Sequence, residues 1–64
     1  MIEQKREFAS MAEAIAHYYD EGFYSLARGS DRRVMSRQEG KDWVVIRQTG
    51  FLKVEANENI SEDL

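Results

Sequence analysis

The spacing of apolar residues changes once along this chain, and that change constrains the fold more than any other feature. In "SMAEAIAHYYDEGF", Met11, Ile15 and Tyr18 recur at helical spacing, and Glu13, His17 and Asp20 recur on the opposite side. Ser10 with Glu13 three residues on has the form of a capping box, and Gly22 offers a left-handed residue just past the last turn. The spacing predicts one helix over residues 11–21. From Phe23 onward, "FYSLAR", "RRVMSRQ", "DWVVIRQ" and "FLKVEA" are short β-favouring runs separated by "GSD", "EGK" and "TG". Ahead of the helix, "KREF" reads as a short strand or an extra helical turn, with the strand preferred. The expected fold class is α+β: a single small domain over residues 1–56, with one α-helix packed on a three- to four-stranded antiparallel β-meander. Residues 57–64, "NENISEDL", read as an acidic, frayed C-terminal tail.

The apolar pattern also suggests a register. A two-residue loop at Thr49-Gly50 would put Arg47 on the face of Leu52 and scramble the apolar side. A three-residue loop, Gln48-Thr49-Gly50, with Gly50 in the left-handed bulge position, instead unites Val44, Ile46, Leu52 and Val54. Trp43, Val45, Arg47, Phe51, Lys53 and Glu55 then share the other face. Carried to the preceding strand, the same logic sends Val34 and Ser36 to the core side, because the opposite choice would place Arg33 and Arg37 beneath the helix. The expected core is Met11, Ile15, Tyr18, Leu26, Val34, Val44, Ile46, Leu52 and Val54.

Size and residue types narrow the chemistry. A chain of 64 residues buries only about 60% of its unfolded surface, so its stability is expected to be marginal and homodimerisation would help it. The absence of cysteine excludes disulfides, thiolate zinc sites and cysteine nucleophiles. His17 is the lone histidine, so no second imidazole can complete a transition-metal site. "GSD" is a turn, with neither the strand–turn–helix setting nor the base that a nucleophilic Ser30 would need, and no glycine-rich phosphate loop occurs. The expectation is a non-enzymatic protein with no cofactor and no metal. No apolar run reaches about 18 residues, and "MIEQKREF" lacks the apolar stretch of a signal peptide. A cytoplasmic protein without a membrane partner is therefore expected.

Charge is the most informative part of the composition. The net −3 conceals an acidic segment 1–23 (two cations, five anions), a basic segment 24–53 (seven cations, three anions) and an acidic segment 54–64 (four anions, no cation). In the expected register, Arg33, Met35 and Arg37 lie beside Trp43, Val45, Arg47, Phe51 and Lys53, with Arg28 and Arg32 framing the turn. Aromatics, methionine and arginine together are what interfaces concentrate. A purely structural account has the apolar groups pairing across strands, with arginine stems packed over them.

Two partner classes fit such a face. One is a protein or nucleoprotein, a second copy of the chain included; the other is single-stranded nucleic acid, with bases stacked on the aromatics and cations on the phosphates. The acidic ends favour the protein partner, since they would repel phosphates. Free-standing chains of this size without catalytic apparatus are commonly regulators or inhibitors, often phage- or mobile-element-encoded. The functional expectation is thus a small protein-binding module that blocks a larger partner, with single-strand binding by the same residues as the alternative.

Overall fold

The computed structural model of the protein describes residues 1–62. Six elements follow in order: β1 (Ile2–Phe8), α1 (Met11–Asp20), β2 (Tyr24–Arg28), β3 (Arg32–Arg37), β4 (Asp42–Gly50) and β5 (Lys53–Ile60). The strands form one five-stranded antiparallel sheet in the order β1-β5-β4-β3-β2, with α1 over β4, β5 and β1. The α+β class with a single helix is as expected, and the strand count rises from three or four to five. The extra pairing explains another difference. β1 pairs with β5 along its whole length, from Ile2 opposite Ile60 to Phe8 opposite Val54, so Asn57–Ile60 of the expected frayed tail are strand.

Local chemistry sets the helix. Ser10 Oγ accepts a hydrogen bond from the Glu13 backbone N–H at 3.1 Å, satisfying one of the first-turn donors. At the other end, Gly22 has φ +89°, Gly22 N donates to Tyr19 O at 3.0 Å, and Phe23 N donates to Tyr18 O at 2.9 Å. That pair of bonds is the Schellman closure, and its customary apolar contact is present as Phe23 against Tyr18, ring centroids 5.3 Å apart.

The β3–β4 register differs from the expected one. Arg37 stands opposite Asp42 across a four-residue loop, which places Met35 opposite Val44 and Arg33 opposite Ile46. Gln38, Glu39 and Gly40 all have positive φ, which closes the loop at this even length. Val34 and Ser36 therefore lie with Val45 and Trp43 on the side away from the helix, and Arg33 and Arg37 lie on the helix side. The cost of burying a cation is met by specific partners. Arg37 Nε donates to Asp42 Oδ2 at 2.7 Å, its Nη1 to Glu21 O at 2.8 Å, and its guanidinium sits 4.5 Å from the Phe23 ring centroid. Arg33 lies at the outer end of β3, half-buried, and donates to Ser25 Oγ at 3.4 Å.

The β4–β5 hairpin keeps the expected facing but turns later. Ile46 opposes Ala56 and Gln48 opposes Val54, so Val44, Ile46 and Val54 do share the helix side. The turn is Phe51-Leu52, and the left-handed residue is Leu52 (φ +53°), not Gly50; Thr49 is the extra residue where the register shifts. Leu52 consequently projects into solvent and Ala56 takes a core place instead. Leu26, at a bulge between Ser25 and Ala27, is exposed too. The core is Ala14, Tyr18, Phe23, Met35, Val44, Ile46, Val54 and Ala56, with Phe8, Met11, Ile15 and Ile60 packed against it. Leu26, Val34 and Leu52 are absent from it; Met35 enters because the β3 parity differs, Ala56 because the hairpin tip differs, and Ala14 of α1 and Phe23 of its C-terminal closure enter as well.

Candidate interaction surface

Two charged clusters anchor the helix side and leave the other side of the sheet bare. In the first, Glu58 Oε2 accepts from Tyr18 OH at 2.5 Å and from Arg6 Nε at 2.7 Å. Burial, reinforced by the hydrogen bond to Glu58 and its charge, holds the Tyr18 phenol well above its ordinary pKa. In the second, Asp42 receives Arg37 on Oδ2 and the Ser61 N–H on Oδ1, both at 2.7 Å. The Arg37 hydrogen bond, then that of Ser61, keeps the Asp42 carboxyl below its ordinary value. Both carboxylates are occupied by donors and serve to tie β1, β5 and the chain after Ile60 to the rest.

His17 belongs to the same packed side. Its ring lies 5.3 Å from that of Phe8 and 4.8 Å from that of Tyr18, and its Nε2 is 3.0 Å from Glu21 Oε2 without hydrogen-bond alignment. Among the described residues no group of three or more His, Asp or Glu side chains is placed to hold a metal ion, and no helix is long and apolar enough to cross a membrane.

Among the described residues no element covers the opposite side of the sheet. Strand pairing and alternation put Arg32, Val34 and Ser36 of β3 there, beside Trp43, Val45 and Arg47 of β4 and Glu55, Asn57 and Asn59 of β5. Tyr24 of β2 joins them opposite Ser36. Val34, Trp43 and Val45 are half-buried, and Tyr24 is exposed. Ser36 is buried at their centre and donates to Asp42 O at 2.9 Å. Arg32 and Arg47 stand directly opposite each other and make no ion pair among the described residues. On the β1 side of this face, Lys5 bonds Glu55 at 3.3 Å.

The ten residues expected to form one basic–aromatic surface are thus divided. Arg32, Trp43, Val45 and Arg47 come together on the open face, and alternation puts Lys53 at its margin. Phe51 is at the hairpin tip, 92% exposed. Arg28, Arg33, Met35 and Arg37 face the helix side: Met35 is in the core, Arg37 is in the Asp42 cluster, and Arg28 and Arg33 lie on the strands outside the helix's cover. Tyr24 and Val34 are members the sequence reading missed. An even-length loop after Arg37 would have found Val34, but nothing in "QEGK" marks two non-glycine residues as left-handed. Comparison with protein-family models, with curated proteins and with solved structures finds no match to this chain.

Proposed function

We propose that this chain is a non-enzymatic protein-binding module of the regulator or inhibitor type, which occludes a larger protein or nucleoprotein partner through the open face of its sheet. The carrying observation is that the single helix covers one side only. The bare side gathers Tyr24, Val34, Trp43 and Val45 beside Arg32 and Arg47, which make no ion pair among the described residues. An aromatic and aliphatic centre with arginines at the rim matches the anatomy of interface hot spots. Strand partners Asn57 and Asn59 add amide donors and acceptors without adding charge.

The test is affinity capture from host extract with the partner identified by mass spectrometry. Val45→Glu and Trp43→Ala should each abolish capture while leaving the circular-dichroism spectrum and melt close to wild type, since neither residue is in the core. Capture unchanged by both variants would remove the open face from the function. Sedimentation of the free chain decides whether the partner is a second copy: a mass twice 7.5 kDa, reduced to the monomer by Val45→Glu, would identify the face as a dimer interface.

A further inference from the structure

The two edges of the sheet are guarded unequally. β1 carries four charged residues in seven, Glu3, Lys5, Arg6 and Glu7, and charged side chains along an edge discourage another strand from adding to it. β2, the opposite edge, reads Tyr24-Ser25-Leu26-Ala27-Arg28, with every residue exposed and one charge at its end. Among the described residues its outer backbone groups have no strand beside them, and α1 lies over the other half of the sheet. The bulge between Ser25 and Ala27 limits any addition to a short segment.

The charges around β2 are of one sign. Among the described residues Arg28, Arg32 and Arg33 make no ion pair, and Arg33, paired directly opposite Arg28, donates to Ser25 Oγ. Alternation sends Arg28 and Arg33 to the helix side and Arg32 to the open face, so cations flank the edge on both sides. A second copy adding through its own β2 would bring a second strand without a carboxylate, since Tyr24–Arg28 carries none, and would leave the arginines of both copies unmatched. A strand carrying carboxylates finds a partner on either face.

We infer that β2 is a strand-addition site for a short, extended, acidic segment of the partner protein, whose backbone pairs with Tyr24–Arg28 and whose carboxylates meet Arg28, Arg33 and Arg32. This deepens the protein-binding reading and rests on it, while centring on the edge strand instead of Trp43 and Val45 and sharing only Tyr24 and Arg32 with the open face. Main-chain pairing supplies affinity in this mode and the flanking side chains supply specificity.

The probe is a blocked octapeptide alternating Glu with Val, titrated into the isotope-labelled full chain and followed by amide shifts and hydrogen exchange. Saturable shifts and slowed exchange should concentrate on residues 24–28. Arg28→Glu and Leu26→Glu should weaken binding by about tenfold or more, the usual worth of a charge-assisted bond. Leu26→Lys should retain binding, which separates charge from disturbance of the strand. A peptide with Lys for Glu, or with a central Pro, should not bind. Unmoved β2 amides, or equal binding by the Lys peptide, would overturn the inference. So would β2 protection that rises with protein concentration alone, with the mass doubling, since the occupant would then be a second copy. If β2 ignores the acidic peptide yet Val45→Glu still abolishes partner capture, strand addition falls and the open-face reading stands. If β2 takes the peptide and Val45→Glu changes nothing in capture, the open face falls and the edge stands.

Discussion

Asp42 closes one end of the sheet through both carboxylate oxygens, with Arg37 from the neighbouring strand on one and the Ser61 amide on the other. Its carboxyl is held below the ordinary 3.8, chiefly by Arg37. A carboxyl with a lowered folded-state pKa contributes stability that is complete above 3.8 and is lost as pH falls from there through the lower folded value. Urea melts of the wild type should therefore weaken across that window, and Asp42→Asn should remove this part of the slope. At neutral pH the same substitution should cost about 2–4 kcal/mol, because Arg37 is left half-buried with one of its partners gone. An unaltered melt at neutral pH would show that Arg37 finds a substitute partner. Arg37 is also the residue at which sequence reasoning failed. The rule that arginines avoid the helix side is sound on average, but a half-buried guanidinium is tolerated once Asp42, Glu21 and Phe23 surround it; Asp42 is brought there by the loop after Arg37, and Glu21 and Phe23 come from the distant helix end.

At the scale of elements, what was legible was what is encoded locally. Ser10, Glu13 and Gly22 mark both ends of α1, and the structure uses Ser10 and Gly22 as the spacing implies. Strand facing depends on loops, and here the left-handed positions are filled by residues that do not advertise them: Gln38 and Glu39 in the β3–β4 loop and Leu52 in the last turn. Parity in β4–β5 was recovered because the apolar pattern of Val44, Ile46 and Val54 outweighs the position of the turn. In β3, Val34 and Met35 are adjacent and both apolar, so the pattern could not choose. Leu52 gives this a measurable consequence. A leucine at φ +53° carries a backbone penalty of roughly 1–2 kcal/mol that glycine avoids, set against glycine's greater chain entropy. Its side chain is 63% exposed, so little packing is lost on truncation. Leu52→Gly should leave stability unchanged or raise it by up to about 1 kcal/mol in chemical denaturation. Gly22→Ala should do the opposite and cost about 1 kcal/mol or more: a methyl there meets nothing within 4 Å, so the loss comes from the φ of +89° alone. Substantial destabilisation by Leu52→Gly would mean that the exposed apolar tip packs on the fold in solution.

For the whole molecule, pairing β1 with β5 converts three segments of alternating charge into two poles. The acidic terminal segments become neighbours at one side of the sheet, while β2 and β3, with Arg28, Arg32, Arg33 and Arg37, form the other. The charge asymmetry was plain in the sequence, but its two-sided layout needed the long-range β1–β5 pairing to appear. This layout bears on the choice between protein and nucleic acid. A single strand laid across the open face to stack on Trp43 and Tyr24 would find Arg32 and Arg47 nearby and Lys53 at the margin, and on the β5–β1 side it would run over Glu55, Glu7 and Glu3, where the one lysine, Lys5, is already bonded to Glu55. Cation contacts supply most of the affinity in such binding, and each phosphate contact contributes a log–log salt slope of about −0.7 on single strands. With so few cations and a net charge of −3, binding should be weak at low salt and negligible at about 150 mM. Fluorescence titration of Trp43 with a labelled-free oligothymidylate measures this directly, because stacked bases quench the indole. Little or no quenching near physiological salt is the expected result. Submicromolar binding there, with a slope corresponding to four or so phosphates, would show that the poles act separately and would transfer the open face from a protein partner to a nucleic-acid strand.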